Sequence, residues 1–175
     1  MQKKFSFPIK IDELNQNQYK YILSPDAAEL KDITAVLQVE NVLSFRGEVF
    51  LKLNIKEHLL KVWGNVKALL ELKSVISLEN FQKPYDIPFE MYFDTKATYQ
   101  DIRDMESDIN DEVPDIIENG TINLADICLE QIALQLDDYP RAEGEIFDFS
   151  QYATSQDVME TKPDNPFAVL QKLKK

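Results

Sequence analysis

Two consecutive runs of alternation, Val42–Ile55 and Leu60–Leu72, restrict most what this chain can become. In the first, the odd positions Leu43, Phe45, Val49, Leu51, Leu53 and Ile55 are apolar, while Ser44, Arg46, Glu48 and Lys52 between them are polar. In the second, the even positions Val62, Val66, Ala68, Leu70 and Leu72 are apolar, against Lys61, Asn65, Lys67, Glu71 and Lys73. A period of two places alternate side chains on opposite faces of a strand. With Lys56–His58 as the turn, the pair reads as an antiparallel hairpin with one buried and one wet face. Phe50, Trp63 and Leu69 break the rule by standing among the polar residues.

Other extended segments join this hairpin. Phe5, Phe7, Ile9 and Ile11 alternate with Ser6, Pro8 and Lys10, which predicts a half-buried strand that Pro8 puts at an edge. After a polar turn over 12–18, Tyr19, Tyr21 and Leu23 resume an extended path, and a further strand follows Pro84 with Tyr85, Ile87, Phe89, Met91 and Phe93 inward. A one-faced sheet needs a cover, and the stretch NGTINLADICLEQIALQLDDYP (119–140) supplies the best helix. Asn123 caps it and Asp126 suits its positive end. Ala125, Cys128, Leu129, Ile132, Ala133 and Leu136 share one face, which Ile127 and Leu134 widen. Burying the large members gives on the order of 10 kcal/mol gross, before chain entropy is subtracted. Ser24 and Pro25 predict the start of a second helix, with Ala27, Leu30, Ile33 or Thr34, and Leu37 inward.

The expected fold is therefore α+β, one domain over 1–152. A mainly antiparallel sheet is built from the N-terminal strand and segments 42–55, 59–74 and 84–93, covered by two principal helices, 25–37 and 124–136. Between Asp101 and Glu118 eight acidic residues face one Arg103, which predicts a solvated acidic loop. Ile146, Phe147, Phe149 and Tyr152 form a short aromatic patch. Residues 153–175 are expected as a mobile tail: Ala153–Asp164 is polar, then Asn165 caps and Pro166 starts a short turn that carries Phe167, Val169, Leu170 and Leu173 beside Lys172, Lys174 and Lys175.

The net charge of −12 opposes general binding to nucleic-acid phosphates. An acidic protein can still act on RNA through a basic protein or a local basic patch. Cys128, the one cysteine, rules out an intramolecular disulfide, suits a reducing cytoplasm, and lies on the inward helical face. The one histidine, His58, sits in the hairpin turn with no G-x-S-x-G elbow elsewhere. Gly47, Gly64, Gly120 and Gly144 are too scattered for a phosphate-cradling loop. Asp104, Glu106, Asp108, Asn110, Glu112 and Asp115 fall in a calcium-loop register, but Ile109 occupies the glycine position and the closing ligand is a short Asp beside Pro114. Zinc has no ligand set. No catalytic, metal or cofactor site is expected. MQKKFSFPIK lacks the apolar run of a signal peptide, and no apolar run approaches membrane-spanning length. A cytoplasmic protein without membrane contact is expected.

Three stretches carry a resemblance to a known family. They are GNVKALLELKSVISLENFQKPYDIPFEMYF (64–93), the lead-in and helix from Gly120 to Pro140, and the terminal Asn165-Pro166-Phe167-Ala168-Val169-Leu170 with Leu173 and Lys174. Together they resemble the YceD-like family, the large ribosomal RNA subunit accumulation proteins. Many members carry C-x-x-C where this chain reads Ser74-Val-Ile-Ser77, so a metal or redox role of those cysteines does not transfer. Asn123, where relatives usually have aspartate, keeps the capping chemistry. The resemblance implies a non-enzymatic ribosome-biogenesis factor, supporting 23S rRNA accumulation and large-subunit assembly. Its partner would be the large-subunit rRNA precursor or a basic ribosomal or assembly protein. The rival reading is an acidic adaptor that holds a basic protein without touching RNA. The candidate partner-binding residues are Asn165, Pro166, Phe167, Leu170, Leu173 and Lys174.

Overall fold

The computed structural model describes residues 4–97 and 115–146, and its helices and strands all fall within the compact unit Met1–Glu143. Of the predicted acidic loop over 101–118, residues 101–114 lie outside the described residues, and its end is instead a short strand, Asp115–Ile116, followed by a 3-10 turn from Glu118. Most of the calcium register, the aromatic patch beyond Ile146 and the C-terminal motif also lie outside the described residues. In chain order the elements are β1 (Pro8–Lys10), a 3-10 turn (Ile11–Glu13), β2 (Gln18–Leu23), α1 (Ala27–Leu37), β3 (Asn41–Asn54), β4 (Leu59–Lys73) and β5 (Asn80–Asp94). Then come β6 (Asp115–Ile116), a second 3-10 turn (Glu118–Gly120), β7 (Thr121–Asn123) and α2 (Leu124–Ala133). The fold is α+β.

The five-stranded sheet runs β2-β3-β4-β5-β6. Its first four strands are antiparallel neighbours, and β6 joins β5 in parallel at Phe93 and Asp94. The predicted alternation holds through β4, where Leu60, Val62, Val66, Ala68, Leu70 and Leu72 are all buried. In β3 it breaks at one end. A register shift between Val42 and Ser44 switches which residues face inward, so Val42 is buried while Leu43, expected inward, is exposed. A bulge of this kind inserts one unpaired residue and so moves every residue beyond it to the other face. Ile55, also expected inward, lies past the strand end and is exposed.

The strand after Pro84 begins four residues earlier than predicted, at Asn80, with Pro84 and Pro88 inside it. Both prolines occupy even positions, whereas Tyr85, Phe89 and Phe93 are the buried ones. Between Asn80 and Tyr92 the strand pairs only with β4 among the described residues. A proline has no N–H to give, so its missing donor belongs on that open side, where it also blocks further strand addition.

The N-terminal strand is the larger correction. Only Pro8–Lys10 is a strand, and it pairs with β7 in a separate two-stranded sheet. Its place in the main sheet is taken by β2, the segment of Tyr19, Tyr21 and Leu23. Asn123 joins the small sheet to α2. Its Oδ1 accepts from the N–H of Phe7 (2.7 Å) and of Ala125 (3.2 Å), while its Nδ2 donates to Asp126 (2.7 Å) and Ser6 (3.2 Å).

Helix α1 starts later than the serine–proline pair predicts. Asp26, not Ser24, is the cap, in a reciprocal capping box with Glu29. Ile33 and Leu37 are its buried residues, and Ala27 is exposed. Helix α2 ends at Ala133, three residues before the predicted end, and this turns Ala133 and Leu134 to solvent. Its buried set, Leu124, Ala125, Ile127, Cys128, Leu129 and Ile132, otherwise follows the expected stripe. The helix meets the buried sheet face at Gly47, where an added Cβ would stand 3.0 Å from Cys128 Sγ and 3.4 Å from Leu23 Cβ.

Gly64 has a different constraint. It pairs with Val49, and a Cβ there would overlap the carbonyl oxygen of Glu48 on the adjacent strand. Backbone cannot yield as a flexible side chain does, so Gly64→Ala must part β3 from β4. We expect it to cost about 4 kcal/mol or more, or to abolish folding. Gly120→Ala meets no atom within 4 Å, and its positive φ alone should cost about 1–2 kcal/mol. Chemical denaturation of both variants checks the ordering.

Candidate functional site

The face of the sheet opposite the buried one carries the most concentrated chemistry among the described residues. Cross-strand register lays it out in rows. Lys20, Phe50, Trp63 and Glu90 form one; Gln18, Lys52, Lys61 and Tyr92 form the row beside it. Farther along stand Ile22, Glu48, Asn65 and Pro88, then Arg46, Lys67 and Asp86. The apolar residues that break the alternation therefore meet each other. Phe50 and Trp63 are stacked with ring centroids 5.6 Å apart and planes inclined by 16°. Lys20 Nζ lies 5.3 Å from the Phe50 centroid, and Lys61 Nζ lies 5.5 Å and 5.3 Å from the rings of Trp63 and Tyr92.

Carboxylates hold three of the lysines: Lys20–Glu48, Lys61–Glu90 and Lys67–Asp86, each at 2.8 Å. Hydrogen bonding from Lys61, then from Tyr92, lowers the Glu90 pKa, and hydrogen bonding with Glu90, then with Tyr92, raises that of Lys61. Lys67, then Asn65, lowers the Asp86 pKa. Such exposed pairs contribute little to stability, so the lysines can exchange partners at small cost. Arg46 and Lys52 make no ion pair among the described residues. Beside Trp63 on the same strand, Asn65 gives its Nδ2 hydrogen to Asp86 at 2.7 Å. Its Oδ1 is buried without a hydrogen-bond partner. At the hairpin end the face opens into a cleft of about 530 Å³, lined among others by Gln16, Lys52, Asn54, Lys56, Lys61 and Tyr92.

This arrangement can hold flat rings and anionic groups. Among the described residues, Cys128 and His58 lie apart, in α2 and in the β3–β4 turn. Burial in α2 pushes the Cys128 thiol up to about 12. His58 has a positive φ in the β3–β4 turn, and its carbonyl accepts from the N–H and hydroxyl of Thr95. No group of three or more His, Cys, Asp or Glu residues that could hold a metal ion exists among the described residues. No described helix is long and apolar enough to cross a membrane.

Ser74 is buried at the end of β4, and its Oγ accepts from the N–H of Ile76 (3.1 Å) and Ser77 (3.3 Å). Ser77 Oγ accepts from the N–H of Glu79 at 3.3 Å. The two hydroxyls thus organise the β4–β5 turn. The sequence-predicted partner residues Asn165, Pro166, Phe167, Leu170, Leu173 and Lys174 lie outside the described residues. Sequence reasoning missed the open face as a site, although the signal was present: Phe50 and Trp63 are apolar at wet-face positions, and an antiparallel register makes them neighbours.

At pH 8 the native Cys128 should resist a thiol-specific maleimide, because the thiolate is the reactive form and burial disfavours it. Unfolding in denaturant should release one reactive thiol per chain. Rapid labelling of the folded protein would contradict the packing of α2.

Comparison with curated proteins and with solved structures found no match. The model of the family described as large ribosomal RNA subunit accumulation protein YceD matches residues 62–174, which takes in the length of β4 from Val62 on, β5, the Ser74 turn, α2 and the segment of Asn165–Lys174. The match spans well over half of the chain, which belongs to the YceD family.

Proposed function

We propose that this protein is a cytoplasmic, non-enzymatic factor that supports 23S rRNA accumulation and assembly of the large ribosomal subunit. The observation that carries this reading is the family match, which runs from β4 through the terminal Asn165-Pro166-Phe167 segment. The chemistry of the described residues agrees with it, since the prominent surface is suited to holding a partner. In this reading Asn165, Pro166, Phe167, Leu170, Leu173 and Lys174 anchor an assembly partner, and residues 1–152 form the body that presents them. The net charge of −12 favours a second reading, in which the protein is an acidic adaptor for a basic ribosomal or assembly protein and makes no RNA contact.

Truncation after Lys162 tests the anchor. The shortened protein should melt within about 2 °C of the full chain, a change below about 1 kcal/mol. It should also fail to restore large-subunit rRNA levels in cells depleted of the full protein. Full restoration would contradict the anchor, and a large drop in melting temperature would assign the motif to the fold instead.

A further inference from the structure

We propose that the open face of the five-stranded sheet is a surface for single-stranded RNA, where bases stack against Phe50, Trp63 and Tyr92 and phosphates take Lys20, Arg46, Lys52, Lys61 and Lys67. The inference rests on the functional reading above only in naming RNA as the strand; the binding chemistry stands on the face itself.

Three observations favour this occupant. Charge is the first. In a chain of net −12, the region between the Lys52 and Arg46 rows carries five cations against three carboxylates, Glu48, Asp86 and Glu90. Glu71 and Asp94 stand at its two ends. The second is the interleaving of those cations with three aromatic rings, which suits a strand that exposes both π-faces and phosphates. The third is exchangeability: each lysine over a ring also holds an exposed carboxylate, so a base can take the ring while the lysine turns to a phosphate.

The rows from Lys52 to Arg46 span about 20 Å along the strands, and the lysine-lined cleft extends one end. Duplex RNA fits poorly, since its bases are stacked within the helix and cannot reach the rings. A basic protein, the adaptor's partner, would meet the surplus of cations here and belongs on another surface.

The test uses the full chain and a labelled single-stranded RNA of mixed sequence, about 16 nucleotides long. Trp63 is the one tryptophan, so its emission reports directly on this face. Stacking should quench it saturably, with a Kd on the order of micromolar at low salt. The same sequence as a duplex should bind at least about tenfold more weakly. Engaging three to five phosphates predicts a log–log salt slope of about −2 to −3.5, and Arg46→Gln with Lys52→Gln should reduce its magnitude by about 1.4. Phe50→Leu and Trp63→Leu keep apolar bulk, so they should leave the melting temperature unchanged while weakening binding about tenfold by anisotropy of the labelled RNA.

Absence of binding at low salt, binding without Trp63 quenching, equal affinity for the duplex, or indifference to Phe50→Leu would each overturn the inference. Capture of a basic ribosomal protein with no RNA affinity would overturn it in favour of the adaptor. Failure of the functional reading looks different: depletion of the protein would leave large-subunit rRNA levels intact, while RNA still quenched Trp63.

Discussion

The contact on which the rest of the structure depends is the one between Gly47 and Cys128. Because residue 47 has no side chain, α2 can settle on the buried face of β3 with the Cys128 sulfur where a Cβ would otherwise crowd it. Ile132, Leu124 and Ala125, all fully buried, then share an interior with Val49, Leu51, Val62 and Val66. Once the helix takes that face, alternation along β4 and along β3 beyond its bulge sends every other residue to the opposite side. The composition of the open face is thus a consequence of where the helix docks.

That opposite side is unlike the protein's average surface. A chain with a large negative charge gathers cations and aromatic rings on the central strands, and holds the lysines in pairs that are exposed and cheap to break. The proposed RNA surface relies on this asymmetry, because the overall composition is not basic. Long-range attraction is absent, so recognition has to come from contact, and contact favours strands whose bases are free to stack. The proposed C-terminal anchor and the proposed RNA face are separate claims, and either can fail without the other.

Much of the fold was legible because it rests on local rules. The period of two along 59–73 fixes the inner face of β4 without error, and the side-chain chemistry of Asn123 marks the start of α2. What was not legible depends on partners far away in sequence. Nothing local to Pro8–Lys10 says that it pairs with Thr121–Asn123 and leaves the main sheet to Gln18–Leu23. The bulge at Leu43 is invisible to a pattern that assumes continuous alternation, and the late start of α1 reflects Asp26 and Glu29 outcompeting Ser24 for the cap. Along the separate strands, Phe50 and Trp63 are two unrelated irregularities. Only the register turns them into one stacked pair.

A double-mutant cycle on Gly47 and Cys128 tests most directly whether α2 lies against β3 at this point and so leaves the Phe50–Trp63 side open. With the two residues in contact, Gly47→Ala should cost markedly less in a Cys128→Ala background than in the native one, since removing the sulfur makes room for the new methyl. A coupling energy of about 0.5–3 kcal/mol is the predicted result. Stability changes that add to within about 0.3–0.5 kcal/mol would contradict that contact, and with it the assignment of the two faces.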